Sequence, residues 1–133
     1  MAEEWISTHQ KRFERGELSN FAIVLQAESA LIGAIGLTIV SNDQRAELGY
    51  WIGKPYWGNG YCTEAAQLVL RHGFEDLGLN RIEALHMSRN PVSGRVLEKI
   101  GMQHEGRLRQ HVKKWETFED MECYAILKSE FQR

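Results

Sequence analysis

Apolar and polar positions along this chain repeat with two periods, one near two residues and one near 3.6, and the switches between them mark the elements. Residues 3 to 15 place Trp5, Ile6, His9 and Phe13 at helical spacing before Gly16, which predicts a short amphipathic helix. The β-branched runs at 21 to 28 and 31 to 40 are separated by Ser29 and Ala30 alone and predict a hairpin. After the polar turn SNDQR, residues 46 to 52 (AELGYWI) alternate as a strand. Glu47, Gly49 and Trp51 fall on one face, and Leu48, Tyr50 and Ile52 on the other. Apolar positions from Cys62 to Leu77 then recur every three or four residues, a long helix for which Gly78 is a suitable stop. Residues 80 to 88 predict another strand. The helix after it has Asn90 at its N-cap and Pro91 in its first turn, and closes at Gly101. Extended runs at about 102 to 113 and 117 to 128 complete the order αββ(β)αβαββ, an α/β (α+β) fold with a mixed sheet.

Bulk properties narrow the function classes. With 133 residues and no repeat, low-complexity tract or linker, residues 1 to 133 are expected to form one domain. Net charge is −2, which gives no overall field to hold a polyanion and argues against nucleic acid as the partner. Cys62 and Cys123 lie far apart without a CxxC pairing, so no zinc site or disulfide framework is indicated, and no metal is expected. No apolar run reaches the roughly 18 residues of a membrane span, and the start lacks a signal peptide's apolar segment. A cytoplasmic protein without membrane contact is expected.

The unusual chemistry sits at a strand-to-helix junction, KPYWGNGYCTEAA at 54 to 66. Gly58 and Gly60 permit backbone angles and close approaches that a side chain would block. The first amides of the helix beyond them point outward at the positive end of its dipole. That combination suits a pyrophosphate, although a plain tight turn would read the same way. The Lys-Ser/Thr ending of a Walker A loop is absent.

WGNGYCTEA resembles motif A of the GNAT acetyltransferases, in the WGxGYxTEA version carried by the RimJ/RimL branch of ribosomal-protein alanine acetyltransferases. Trp57 stands where Arg or Gln is usual in the wider family, and Cys62 where Gly or Ala is usual. AELGYWI before it and NPVSGRVLEKIGM at 90 to 102 resemble two further family segments in the same order. The resemblance implies a mostly antiparallel, splayed sheet flanked by helices, with acetyl-coenzyme A as co-substrate and no metal. It implies that the cradle Trp57, Gly58, Asn59, Gly60, Tyr61, Cys62 and Thr63 holds the pyrophosphate. Tyr50, Trp51 and Ile52 would meet the pantetheine arm together with Asn90, whose alternative role is N-capping. Arg95 and Lys99 would meet the adenosine phosphates, or else are ordinary solvated helix charges, the reading preferred for Lys99. Family members of this type usually carry a further edge strand and helix ahead of the helix that starts this chain. The edge left exposed would favour pairing, a homodimer included.

Acetyl transfer to an amine needs two proton movements: one leaves the attacking amine and one reaches the departing thiolate. Lysine amines titrate near 10.4 and α-amino groups near 8, so a protein N-terminus needs the less help of the two acceptor types, the other being a small-molecule amine. The resemblance makes Glu47 the candidate base, against the alternative of a strand-edge salt bridge. The tyrosine that many family members place seven residues after the helix-starting Asn is Leu97 here. Ser93 is the branch's candidate beside the sulfur, or else a first-turn hydroxyl satisfying backbone groups. No serine or cysteine has a recognisable base, so direct transfer in a ternary complex is expected over an acyl-enzyme. A non-catalytic acyl-coenzyme A binding module is the alternative.

Overall fold

A computed structural model describes residues 4–13, 16–25, 29–53 and 60–131, with side chains from residue 18 onward within those ranges. Nine regular elements follow one another: β1 (Glu4–Phe13), β2 (Gly16–Leu25), β3 (Ala30–Val40), β4 (Arg45–Ile52), α1 (Tyr61–Arg71), β5 (Arg81–Met87), α2 (Pro91–Lys99), β6 (Gln103–Lys114) and β7 (Thr117–Leu127). The strands form one seven-stranded sheet in the order β1-β2-β3-β4-β5-β7-β6. Only β4 and β5 run parallel; the other neighbours are antiparallel. The expected mixed, mostly antiparallel α/β architecture is therefore present.

One expected element is different. Residues expected as a starting helix are β1, paired with β2 without a break from Glu4↔Leu25 to Phe13↔Gly16. Spacing of the apolar residues describes the segment alone, whereas its state is decided by the partner: β2 would otherwise present a ten-residue row of unpaired amides and carbonyls. The sheet edge expected to lie open at β2 is consequently covered by β1.

Alternation along β4 fixes which face meets the helices. Ala46 and Leu48 are buried, Tyr50 and Ile52 half-buried, while Glu47, Gly49 and Trp51 are exposed on the opposite, outer face. The inner row continues through Ile35, Leu37 and Ile39 on β3 and Ile82 and Ala84 on β5, and α1 covers it with Ala65, Ala66, Val69 and Leu70. Beyond Arg71 the coil widens into a π-helical segment, His72–Asp76, where Gly73 lets the chain come close to β5: a Cβ there would stand 2.7 Å from Ile82 Cδ1. Gly78, at φ 69°, ends the segment as expected.

Register then produces the feature that matters for function. β4 and β5 pair only from Arg45↔Arg81 to Leu48↔Ala84, whereas β5 stays paired with β7 as far as Met87↔Met121. From Gly49 onward β4 leaves its parallel neighbour, and the sheet parts.

Candidate active site

At this parting lies a cleft of about 430 Å³, lined by Tyr50, Trp51 and Ile52 of β4, by Gly60 to Thr63 at the start of α1, and by Asn90, Val92, Ser93, Arg95, Val96 and Lys99 of α2 and its approach. Two helix N-termini and one strand end converge there. Gly60 sits at φ 78°, the left-handed region that favours glycine, and α1 has no side-chain cap. A Cβ at Gly60 would meet nothing within 4 Å among the described residues. Trp57, Gly58 and Asn59, expected in the same cradle, lie outside the described residues.

Pro91 begins α2 as its spacing foretold, with Asn90 at the N-cap position but without a capping side-chain bond. The Asn90 carboxamide instead donates from Nδ2 to Ser93 Oγ at 3.3 Å, joining two of the expected site residues. Tyr50 reaches across the parting from β4, its hydroxyl donating to the Ser93 carbonyl at 3.5 Å. Burial pushes the Tyr50 phenol up to about 12, with the Cys62 thiol adding to the rise, so this hydroxyl stays protonated at neutral pH.

Among the described residues the cleft's charged side chains are Arg95 and Lys99, both cationic and exposed, and no carboxylate lines it. Val92, Val96 and Lys99 follow at i, i+4 and i+7, one stripe of α2 facing the cleft. Sequence reasoning passed over the two valines, and their spacing was the available signal. An anionic end and an apolar arm are the ligand chemistry this lining accepts: amides and cations for phosphates, valines and Ile52 for a chain.

Glu47 is placed differently from the rest. It sits on the outer face of β4, exposed, opposite Thr38 on β3 and Glu83 on β5 and outside the cleft lining. Arg81 and Arg45 hold Glu83 at 3.1 and 3.8 Å. Leu97 is fully buried in the core. His86 is buried with Nδ1 against the Met87 carbonyl at 2.7 Å, and His111 is exposed on β6; neither lines the cleft.

A buried carboxylate missed by sequence reasoning supports the approach to α2. Glu122 on β7 accepts hydrogen bonds from the Ser88 hydroxyl, from His104 Nε2 at 2.7 Å and from Arg107 Nε at 2.8 Å. Those donors, Ser88 first, hold its carboxyl down at about 2. Ser88 thereby anchors the turn that delivers Asn90, whose amide donates to the Met87 carbonyl at 2.9 Å.

Residues 1–103 match the family model described as the acetyltransferase (GNAT) domain. The chain belongs to the GNAT acetyltransferase family. YjcK of Bacillus subtilis (strain 168), named a probable N-acetyltransferase, is 40% identical over 124 residues, which cover 92% of this chain and 68% of YjcK. The crystal structure of a GNAT-family acetyltransferase from Bacillus anthracis superposes with a TM-score of 0.78 at 36% identity, covering 84% of this chain and 67% of that one. A solved variant of the spermidine N-acetyltransferase SpeG from Vibrio cholerae gives 0.78 at 25% identity over 84% of this chain and 65% of that one. The chain spans about two thirds of the length of the curated relatives it matches. Its parted β4 and β5, with a glycine-led helix beside them, are thus found in a GNAT domain. No group of three or more metal-ligating side chains occurs among the described residues, and none of their helices is long and apolar enough to cross a membrane.

Proposed function

We propose that this chain, as one domain over residues 1 to 133, is a cytoplasmic N-acetyltransferase of the RimJ/RimL type, moving the acetyl group of acetyl-coenzyme A to a primary amine. The observation that carries the reading is the cleft itself, where the starts of α1 and α2 converge on the parted end of β4 under two cations. The Gly60 to Thr63 backbone holds the pyrophosphate, and Arg95 meets the adenosine-side phosphates. Tyr50, Trp51 and Ile52 line the pantetheine arm, with the Asn90–Ser93 pair on the facing side. Ser93 hydrogen-bonds the departing thiolate and relays a proton to it from water. Glu47 accepts the amine's proton from the outer face, through water. With no activated nucleophile in the cleft, the amine attacks the thioester directly in a ternary complex. The WGxGYxTEA form of the cradle supports the branch, and the acceptor is a protein N-terminus or a small-molecule amine.

Calorimetry with acetyl-coenzyme A and a thiol-release assay against amines and N-terminal peptides test this. Wild type should bind and turn over, with intersecting rather than parallel initial-rate lines. Gly60→Val places a β-branched residue at φ 78° in the cleft lining at the start of α1. It should lower stability by roughly 1–3 kcal/mol and abolish binding while the circular dichroism of the folded state persists. A folded Gly60→Val chain with unchanged affinity would remove the cradle from the reading.

A further inference from the structure

Gly49 has none of the folding reasons that place a glycine inside a strand. Such a glycine marks a bulge, a tight bend or the close approach of another backbone or a ligand, since otherwise it only weakens the strand. β3 and β4 pair without a register shift from Gly33↔Ile52 to Val40↔Arg45, so there is no bulge. Its φ is not positive. A Cβ at Gly49 would meet nothing within 4 Å among the described residues, so none of their backbone crowds it. Gly33 and Gly36 on β3 differ: there a Cβ would lie 2.3 Å from the Trp51 carbonyl oxygen and 2.3 Å from Asn20 Oδ1, respectively.

Register places Gly49 in a row. Asn20, Gly36 and Gly49 stand opposite one another across β2, β3 and β4 on the outer face. The row with Thr38 and Glu47 borders it on one side, and the row with Ala34 and Trp51 on the other. Neighbouring strands lie about 4.8 Å apart, and rows on one face about 7 Å apart; the Asn20 carboxamide lies over Gly36, so the open part of this row is a notch at Gly49. It lies where β4 leaves β5, immediately past Leu48↔Ala84. The helices occupy the inner face, from which the coenzyme cleft opens, and direct transfer needs the amine to arrive from elsewhere.

We propose that Gly49 sets the width of the channel by which the acceptor amine crosses the outer face to the thioester, making it a specificity-determining position. The inference rests on the acetyl-transfer reading above. The acceptor class it selects is a primary amine on a slender, unbranched carrier, passing between Glu47 and Trp51. During attack the amine nitrogen forms the new bond to the acetyl carbon and loses a proton, and the sulfur departs with the electron pair and gains one.

Gly49→Ala and Gly49→Val test it, assayed with acetyl-coenzyme A against n-hexylamine, its α-methyl-branched analogue and a peptide with a free N-terminal serine. Calorimetry with coenzyme A and circular dichroism are run on each variant. Val should lower kcat/KM for the acceptors by about 100-fold, the scale of a small misplacement at a reacting centre. Ala should do so less, and more for the branched amine than for the straight one, while coenzyme affinity stays within about twofold. A folded Gly49→Val chain with unchanged kcat/KM for all three acceptors overturns the proposal. If Val prevents folding, the Ala variant decides: equal losses for straight and branched amines overturn it equally. Wild type that binds coenzyme A yet acetylates none of the three overturns the channel alone, whereas wild type without coenzyme binding overturns the transferase reading and the channel with it.

Discussion

Tyr50 shows how one side chain reports on the whole cleft. Its ring packs against the core and its hydroxyl donates to the Ser93 carbonyl, so the phenol is fixed between β4 and α2. Burial raises its pKa from 10.0 to about 12. For a group whose folded value is the higher one, the associated stability is complete below the unfolded value and is lost as pH rises from 10 towards 12. An ultraviolet phenolate titration should show late ionisation from Tyr50 and from Tyr124, whose value burial also raises, and Tyr50→Phe should diminish its amplitude while leaving the Tyr124 part. A late amplitude unchanged in Tyr50→Phe would take the raised value away from Tyr50. Residue roles differ in how far sequence shows them. Gly60 and Pro91 were legible because glycine and proline act through their own backbone angles. The Glu122 cluster was not, because Ser88 after β5, the pair His104 and Arg107 on β6, and Glu122 on β7 come from three separate chain segments and only the fold assembles them.

At the scale of elements, β4 was legible because alternation reports directly on a sheet with one buried face. β1 was misread because Trp5, Ile6, His9 and Phe13 have helical spacing while their state depends on β2. Parting of β4 from β5 is a matter of register between strands separated by a whole helix, and no local pattern carries it. Seating of α2 depends on another such long-range contact. A Cβ at Gly94 would stand 2.9 Å from both His86 Nε2 and Tyr124 Oη, two rings stacked 5.5 Å apart beneath the helix. Gly94→Ala therefore sets two effects against each other. Helix propensity favours alanine by about 1 kcal/mol, and overpacking costs about 1–3 kcal/mol. Since neither ring tip moves without disturbing buried neighbours, overpacking wins. The melting temperature should fall and α2 should shift outward, carrying Asn90 and Arg95 with it, so that coenzyme affinity falls as well. A rise in melting temperature with unchanged affinity would show that α2 is not held by this contact.

For the whole molecule, the relevant asymmetry is charge. Net charge is −2, yet the proposed coenzyme cleft carries Arg95 and Lys99 and, among the described residues, no carboxylate. A polyphosphate ligand must therefore be drawn by a local field and not by the protein's overall charge, and a local field between exposed groups is screened within about 8 Å at physiological ionic strength and about 30 Å at 0.01 M. Each exposed ion pair is worth about 0.2–1 kcal/mol, so replacing both cations by glutamine should weaken coenzyme A binding by about 2- to 30-fold at low salt. The helix-terminal amides remain in that variant, so binding should persist. As salt rises, wild-type affinity should fall towards that of the variant, because the pair contributes only what screening leaves. Calorimetric titrations of both chains across a salt series decide the matter. Convergence identifies Arg95 and Lys99 as the electrostatic part of coenzyme capture, and parallel salt dependences assign that part to the backbone cradle at Gly60 to Thr63 alone.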